Sequence, residues 1–182
     1  MKTALKTALN ILSDEHQNIL KVINALLKEC DSLKSGGEID KSFFKTVVEF
    51  IRGYADKFHH AKEEDILFME LCKDEVQMHC NPTQQMLHEH DLGRNFVKEL
   101  ENGIKEENKD KIIKNARGYA KLLQEHIFKE DNILYPMADE FLSKEVKKTM
   151  LNRFEKIEQN FIKERKVYIS FVNELVKMDK KE

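Results

Sequence analysis

Apolar residues recur along most of the chain in steps of three and four, the spacing of one face of a helix. The pattern predicts helices over about residues 3–33, 39–73, 82–104, 110–135 and 143–177. No stretch keeps the two-residue alternation of a half-buried strand, and the connections between the helices are short. The fold class expected is therefore all-α, an up-down-up-down four-helix bundle with an additional C-terminal helix.

Local signals support the proposed helix ends. Ser35-Gly36-Gly37 closes the first helix, with glycine providing a left-handed cap, and Pro82 is placed as the first residue of the third. Ser143 is the expected N-cap of the last helix, and Pro136 is expected to break or kink the fourth near its end. This divides the chain into a bundle over residues 1–140 and a helical extension over 141–182, packed on the bundle or on a second subunit.

Composition excludes some classes of protein. The chain of 182 residues carries 31 basic and 33 acidic side chains, so it lacks the basic excess of a nucleic-acid-binding protein. No segment has the length of apolar sequence that spans a bilayer, and the N-terminus does not resemble a signal peptide. Three cysteines without a pattern do not suggest a disulfide scaffold, and a cytoplasmic location is expected.

Histidines interrupt four of the apolar stripes, and two of them are followed one turn later by a glutamate. For any one histidine alone, a core imidazole bonded to a neighbour is the simpler interpretation. Four imidazoles and two carboxylates in one apolar interior would be costly unless they were paired or bound to metal. The predicted metal ligands are His16, His59, Glu63, His90, His126 and Glu130.

This mixture of imidazole and carboxylate suits iron, manganese or zinc, and no cysteine lies on the stripes. Two carboxylates on two helices can each bridge a pair of ions, which predicts a dinuclear site whose remaining charge an oxo or hydroxo bridge would offset. Three further residues are candidates for an additional ligand or for a contact to one: His60, Tyr119 and Asp131. Tyr119 also fits an ordinary core tyrosine, and Glu64 and Asp131 fit either exposed positions or hydrogen bonds to a ligating imidazole.

These motifs resemble the hemerythrin-like HHE cation-binding family. The matching segments are His59-His60-Ala61-Lys62-Glu63-Glu64, the region around Glu89-His90-Asp91, His126 to Pro136, and His16 in the first helix. The resemblance implies a non-haem di-iron centre with two iron ions, manganese and zinc being less favoured. It assigns four histidine ligands, and it assigns Glu63 and Glu130 as bridges.

The chain departs from the oxygen carriers of that family, because Met86 occupies the position of a fifth histidine. The second carboxylate of the carriers would correspond to Asp131, whereas the larger family uses the position of Glu130. The four-histidine, two-glutamate branch that it resembles is associated with binding or sensing oxygen, nitric oxide or peroxide. An enzyme that turns over peroxide or nitric oxide, or donates iron for iron–sulfur cluster repair, is the alternative, so enzymatic activity stays open.

Other classes are less favoured. A ferritin-like oxidase uses Glu-x-x-His pairs, whereas this chain has His-x-x-x-Glu, and a purely structural bundle leaves the buried charge unexplained. The expected partners are the small diatomic or peroxide ligand and an electron-donor or signalling protein. Neither nucleic acid nor membrane is an expected partner, and a homodimer stays open.

Overall fold

The computed structural model describes residues 7–76 and 80–179, and in these ranges it contains six helices and no strand. Helix α1 is Ala8–Lys34, and α2 runs from Lys41–Phe50 through π-helical turns at Ile51–His60 and Glu63–Leu67 to Phe68–Leu71. Helix α3 is Thr83–Lys105, and α4 joins Lys109–Lys129, the π-helical Glu130–Leu134 and Tyr135–Phe141. Helices α5 and α6 are Lys144–Asn160 and Ile162–Asp179. The predicted all-α fold is confirmed.

The helices begin where side chains can satisfy their free backbone donors. Thr7, Asp40, Asn108 and Ser143 each accept a hydrogen bond from the amide three residues on, starting α1, α2, α4 and α5. Gly36 has φ +97° just beyond α1, as its predicted cap requires. Of the predicted start at residue 3, the part before residue 7 lies outside the described residues.

Two apolar clusters fill the bundle, one on each side of a polar layer. On α1, Leu12 belongs to one cluster and Ile19 to the other, with His16 between them. On α4, Leu123 and Leu134 belong to opposite clusters in the same way, with His126 and Glu130 between them. The polar residues are therefore enclosed by packed hydrocarbon along the helix axes, where a low dielectric strengthens electrostatic interactions.

The C-terminal segment packs on the bundle. It was predicted as a single helix, but it breaks at Phe161, and the two helices contact α1 separately. Met150 and Phe154 of α5 join one apolar cluster, while Val172 of α6 joins the other. A break at this point lets the segment turn so that each half covers one cluster.

Pro136 was expected to break or kink the fourth helix, and the structure shows no break there. Helix α4 continues past Pro136 to Phe141, and the π-helical turn Glu130–Leu134 lies just before it. A π turn adds one residue to the turn and shifts the phase of everything that follows. A regular α-helix would place Ile133, three residues after Glu130, on the inward face. Ile133 is instead 49% exposed, and Leu134 is buried.

Candidate metal centre

Helices α1 to α4 bring the six predicted ligands together in the polar layer. Each of these residues is at most 2% exposed. His16 comes from α1, His90 from α3, and α2 and α4 each supply a histidine and a glutamate one turn apart. This is the same-face placement that the four-residue spacing predicts.

The histidines form two pairs, and a glutamate lies between the pairs on each side. The Nε2 atoms of His16 and His59 are 2.9 Å apart, and those of His90 and His126 are 3.0 Å apart. Glu130 places one oxygen 3.2 Å from His16 Nε2 and the other 3.2 Å from His126 Nε2. Glu130 thus reaches one histidine of each pair, which is the placement that bridging two ions demands.

Glu63 makes the equivalent contacts on the other side. Its Oε2 lies 3.6 Å from His59 Nε2 and 3.6 Å from His90 Nε2. Two groups of buried side chains have ligand atoms that all lie within 4.8 Å of one another: His16, His59, Glu63 and Glu130, and then His60, Glu63, His90 and His126. Glu63 is common to both groups, so the two positions for an ion are adjacent.

His60 faces this centre although it follows His59 directly. It is 6% exposed, and its ring stacks on His90 with centroids 3.7 Å apart. The π-helical turn Ile51–His60 has more than four residues per turn, which lets two consecutive side chains face inward. Its Nδ1 is 3.4 Å from Asp56, so His60 is held at the second position for an ion.

Each of the four paired histidines has a carboxylate on its Nδ1 atom. His59 is bonded to Glu15 at 2.9 Å and His126 to Glu89 at 2.8 Å. His16 is bonded to Asp131 at 3.0 Å and His90 to Glu64 at 2.7 Å. A carboxylate on Nδ1 fixes the ring and its tautomer, so that Nε2 is free to bind a metal.

Hydrogen-bond donors hold these carboxylates in turn. Lys62 pairs with Glu15, and Lys129 pairs with Glu89. Arg94 lies 2.6 Å from Glu64, and Ser13 donates to Asp131 at 2.7 Å. These donors keep the four carboxylates in place beside the histidines, because a buried or partly buried carboxylate without a partner would be costly.

The centre has an approximate internal two-fold repeat. His59 to Phe68 of α2 corresponds to His126 to Tyr135 of α4, with a Lys-Glu-acid sequence at the same place in each. Glu15-His16 of α1 corresponds to Glu89-His90 of α3. Each glutamate that precedes a histidine bonds the histidine of the next helix, so the contacts repeat as well as the sequence.

The repeat differs at Phe68 and Tyr135, and this explains which oxygens lack a partner. Tyr135 donates its hydroxyl hydrogen to Glu63 Oε1, whereas Phe68 has no hydroxyl to offer Glu130. Glu63 Oε2 and both oxygens of Glu130 are buried without a hydrogen bond among the described residues. Buried carboxylate oxygens without donors, facing imidazole nitrogens, fit the ligand set of a hard or borderline cation.

The electrostatics of the layer also favour positive charge. Burial lowers the pKa of His16, but its interactions with Asp131 and Glu130 outweigh burial and raise that pKa to about 9. Burial also lowers the pKa of His126, but the neighbouring Glu130 outweighs burial and raises that pKa to about 10. Burial and the neighbouring Glu130 raise the pKa of Glu63. Burial at Glu130 is outweighed by His126 and His16, which lower its pKa, so this carboxylate stays ionised. The protons held by His16, His126 and Glu63 thus supply positive charge that metal cations would supply in their place.

Two of the three further candidates contact the centre. Asp131 bonds His16, and His60 shares a group of ligand atoms with Glu63. Tyr119 is buried, but it makes no hydrogen bond to any of the predicted ligands. Sequence reasoning missed Glu15, Glu89, Lys62 and Tyr135, although the repeated Glu-His and Lys-Glu pairs were visible signals for three of them.

A comparison with protein-family models matches residues 7–138 to the Hemerythrin HHE cation binding domain. The matched range covers α1 to α3 and α4 almost to its end, and so includes every residue of the centre. Comparisons with curated proteins and with solved structures gave no match. Among the described residues, no helix is long and apolar enough to cross a membrane.

Proposed function

The chain belongs to the hemerythrin HHE cation-binding domain family, and on this premise we propose that it is a non-haem di-iron protein that binds or senses a small oxidant. The candidate oxidants are oxygen, nitric oxide and peroxide. The observation that carries the proposal is the placement of Glu63 and Glu130, each between one histidine of one pair and one of the other.

The ligands divide between two ions in this proposal. His16 and His59 would hold one ion, while His90 and His126 would hold the other together with His60. Glu63 and Glu130 would bind both ions. Imidazole and carboxylate ligands suit iron in both common oxidation states, and manganese or zinc would fit the same set less specifically. When bound, paired iron supplies electrons one at a time and an open position for a small ligand.

The chain's own residues prepare the site for that ligand. The four carboxylates on the Nδ1 atoms keep the imidazoles oriented, and the two apolar clusters shield the centre along the helix axes. A partner that accepts the signal or donates electrons is part of the proposal. The free thiols of Cys30, Cys72 and Cys80 are compatible with the reducing cytoplasm that we propose as its location.

A second candidate function is turnover of peroxide or nitric oxide by the same centre. Tyr135 is the observation that favours it, because its buried hydroxyl donates to Glu63 and lies 3.4 Å from His16 Nε2. A hydroxyl at this place can pass a proton to a reacting ligand, which a binding protein does not need. The Tyr135→Phe variant should then slow turnover while leaving the metal content unchanged.

The test is metal content with an optical spectrum, on protein purified without oxygen and then exposed to air. Two irons per chain, with near-ultraviolet charge-transfer bands that appear in air, are expected. A stable adduct with little consumption of oxidant supports binding or sensing, and rapid repeated consumption supports the enzyme. No iron, or one tightly held zinc, would contradict the proposal.

A further inference from the structure

A cavity of about 270 Å³ reaches the centre from one side of the bundle. It lies between α2, α3 and α4, and its polar end includes the imidazoles of His60, His90 and His126. His16 and His59, the other histidine pair, do not line it. A molecule in the cavity would therefore meet only the second of the two proposed ion positions.

The internal repeat explains why the cavity approaches the centre from one side of the bundle. His60 corresponds to Ile127 in the second half of the repeat, so an imidazole stands in one half where the other carries a hydrocarbon. Ile127 is buried in an apolar cluster, whereas His60 lines the cavity. The departure from symmetry thus coincides with the approach to the centre.

The cavity is larger than a diatomic molecule needs. A space of about 10–15 Å³ is enough for one water, and an apolar cavity of about 150 Å³ can bind benzene. The lining here includes the apolar side chains of Ile51, Val97, Leu122 and Leu123. Its size and lining suit a molecule with several carbon atoms next to its reactive end.

The hydroxyl of Tyr119 is a polar group in the cavity wall. Tyr119 is 3% exposed and lines the cavity, and its hydroxyl makes no hydrogen bond to any described residue. The hydroxyl oxygen is not among the fully buried atoms that lack a partner, so it is open to the cavity, where a ligand or water can bond it. This hydroxyl is placed to bond an oxygen atom in the cavity.

The charges around the cavity favour a neutral occupant. Arg94 pairs with Asp56 at 2.8 Å and with Glu64 at 2.6 Å, and Arg52 pairs with Glu101 at 2.5 Å. Both guanidinium groups in the lining are thus already neutralised by carboxylates. The lining also holds the exposed Lys57 and two carboxylates, Asp56 and Glu89. An anionic ligand could meet Lys57 but would be repelled by the two carboxylates, whereas a neutral molecule with one oxygen-bearing end would not be.

We propose that the cavity binds an organic hydroperoxide, with its peroxide end at Tyr119 and the three imidazoles and its carbon body against the apolar wall. The choice of an oxidant rests on the proposed function of the centre. The volume of the cavity, the Tyr119 hydroxyl and the paired guanidinium groups of Arg52 and Arg94 favour this larger neutral oxidant over a diatomic molecule or hydrogen peroxide.

The first test uses zinc-loaded protein, because zinc does not reduce the probe. Titration with tert-butyl hydroperoxide, followed by NMR, should give saturable shifts at cavity residues with a Kd on the order of 1 mM, as expected for a ligand of this size. Tyr119→Phe should weaken binding roughly fivefold through loss of one hydrogen bond. Tyr54→Phe is the control, because it removes a buried hydroxyl that bonds Asn18 and lies outside the cavity.

The second test fills the cavity. Val97→Phe places a ring in the wall, and Gly93→Ala adds a methyl group that meets Tyr119 Cε2 at 3.5 Å, an ordinary contact. Gly93→Ala keeps the proposal testable if Val97→Phe fails to fold. In iron-loaded protein, the rate at which tert-butyl hydroperoxide oxidises the bound iron is divided by the rate for hydrogen peroxide. This ratio should fall at least tenfold in Val97→Phe, and by less in Gly93→Ala.

Failure of the two proposals can be told apart. If no di-iron centre forms, the proposed function fails, while binding to the zinc form still decides whether the cavity takes the hydroperoxide. An absence of saturable shifts, or shifts that persist unchanged when the cavity is filled, would overturn the cavity proposal. A cavity occupied by water alone would give that negative result.

Discussion

Glu130 is the residue whose surroundings are hardest to explain without a metal. Both of its carboxylate oxygens are buried without a hydrogen bond, and each faces an imidazole nitrogen at 3.2 Å. Burial of an ionised carboxylate is tolerated when it is paired or coordinates a metal. Tyr135 relieves one oxygen of Glu63, but the corresponding Phe68 cannot relieve Glu130.

Glu130→Gln should lower the metal content from about two ions per chain to one or fewer, because an amide bridges two cations poorly. The measurement is metal analysis after dialysis against a weak chelator. Glu125→Gln is the control, since Glu125 is exposed on the same helix and forms an ion pair with Lys121 at 4.0 Å, away from the centre. Two tightly held ions in Glu130→Gln would rule out the bridging role.

Lys62 gives a second prediction at this scale. It is fully buried, it pairs with Glu15, and its Nζ lies 3.6 Å from the centre of the Phe58 ring. Lys62→Met should destabilise the protein by about 3–5 kcal/mol, because it leaves the buried carboxylate of Glu15 without its cation. Urea unfolding of the zinc-loaded protein measures the loss.

The repeat supplies the control for this variant. Lys129 makes the same kind of pair with Glu89, but its side chain is 29% exposed. Lys129→Met should therefore cost less, about 1 kcal/mol or below, because the lysine lies nearer the surface and Gln85 still donates to the Glu89 carboxylate at 3.0 Å. Equal losses for the two variants would show that burial of Lys62 does not set its contribution.

The residues of the centre differ in how far the sequence predicts them. His59 with Glu63 and His126 with Glu130 follow from a four-residue spacing, which depends on one helix alone. Glu15 and Lys62 were missed, because their contacts join α1 to α2 and depend on how those helices are rotated about their axes. Rotation is set by packing of many side chains, and no short spacing encodes it.

At the scale of elements, the π-helical turns decide which side chains face the centre. The turn Ile51–His60 brings two consecutive histidines inward, and the turn Glu130–Leu134 shifts the inward face by one residue. Sequence periodicity assumes 3.6 residues per turn throughout. On that assumption Ile133 faces the interior, and His60 lies about 100° round the helix from His59. Helix type and order were predictable, but these local changes of pitch were not.

The contact between α2 and α6 can be tested at Gly53. A Cβ built on Gly53 would lie 1.8 Å from the Tyr168 hydroxyl oxygen, so the two helices meet there without room for a side chain. Gly53→Ala should destabilise the protein by about 1–3 kcal/mol through overpacking. Differential scanning calorimetry or urea unfolding would measure this change.

A double-mutant cycle isolates the contact. In a Tyr168→Ala background the obstructing ring is absent, so Gly53→Ala should then cost little or stabilise the helix slightly. An additive result would mean that α6 does not pack on α2 in solution as the structure has it. This would favour packing of the C-terminal segment on a second subunit, the alternative that the sequence left open.

At the scale of the whole molecule, metal binding should be linked to pH. The pKa values of His16 and His126 are raised to about 9 and about 10, so both imidazoles carry protons near neutrality. Metal ligation needs neutral imidazoles and an ionised Glu63, whose pKa is also raised, so loading at pH 7 should release at least two protons per chain. A pH indicator in weakly buffered solution measures the release, which should decline above about pH 9–10.

The same shifts predict how metal-free protein responds to pH. A raised folded pKa contributes stability that is fully present below the unfolded value of 6.5 and is lost as pH rises through about 9–10. The melting temperature of chelated protein should therefore fall over this window, and that of loaded protein should fall less. Parallel curves for the two forms would contradict the linkage.

The C-terminal helices raise the question of whether the bundle is stable alone. Residues 1–140 were predicted as one domain and 141–182 as an extension, and the family match ends at residue 138. Removal of α5 and α6 would uncover apolar surface that Met150, Phe154 and Val172 now cover. It would also remove Phe154 from beside Lys62, whose Nζ lies 5.8 Å from its ring centre.

A chain truncated after Phe141 should consequently lose several kcal/mol of stability, since burial of each large apolar side chain contributes about 1.5–3 kcal/mol. Urea unfolding of zinc-loaded full-length and truncated chains gives the difference. A gentler variant, Phe154→Ala, should lose about 3–5 kcal/mol with both helices retained. An unchanged unfolding midpoint after truncation would show that the first 141 residues carry the whole stability of the centre, and that α5 and α6 serve another purpose.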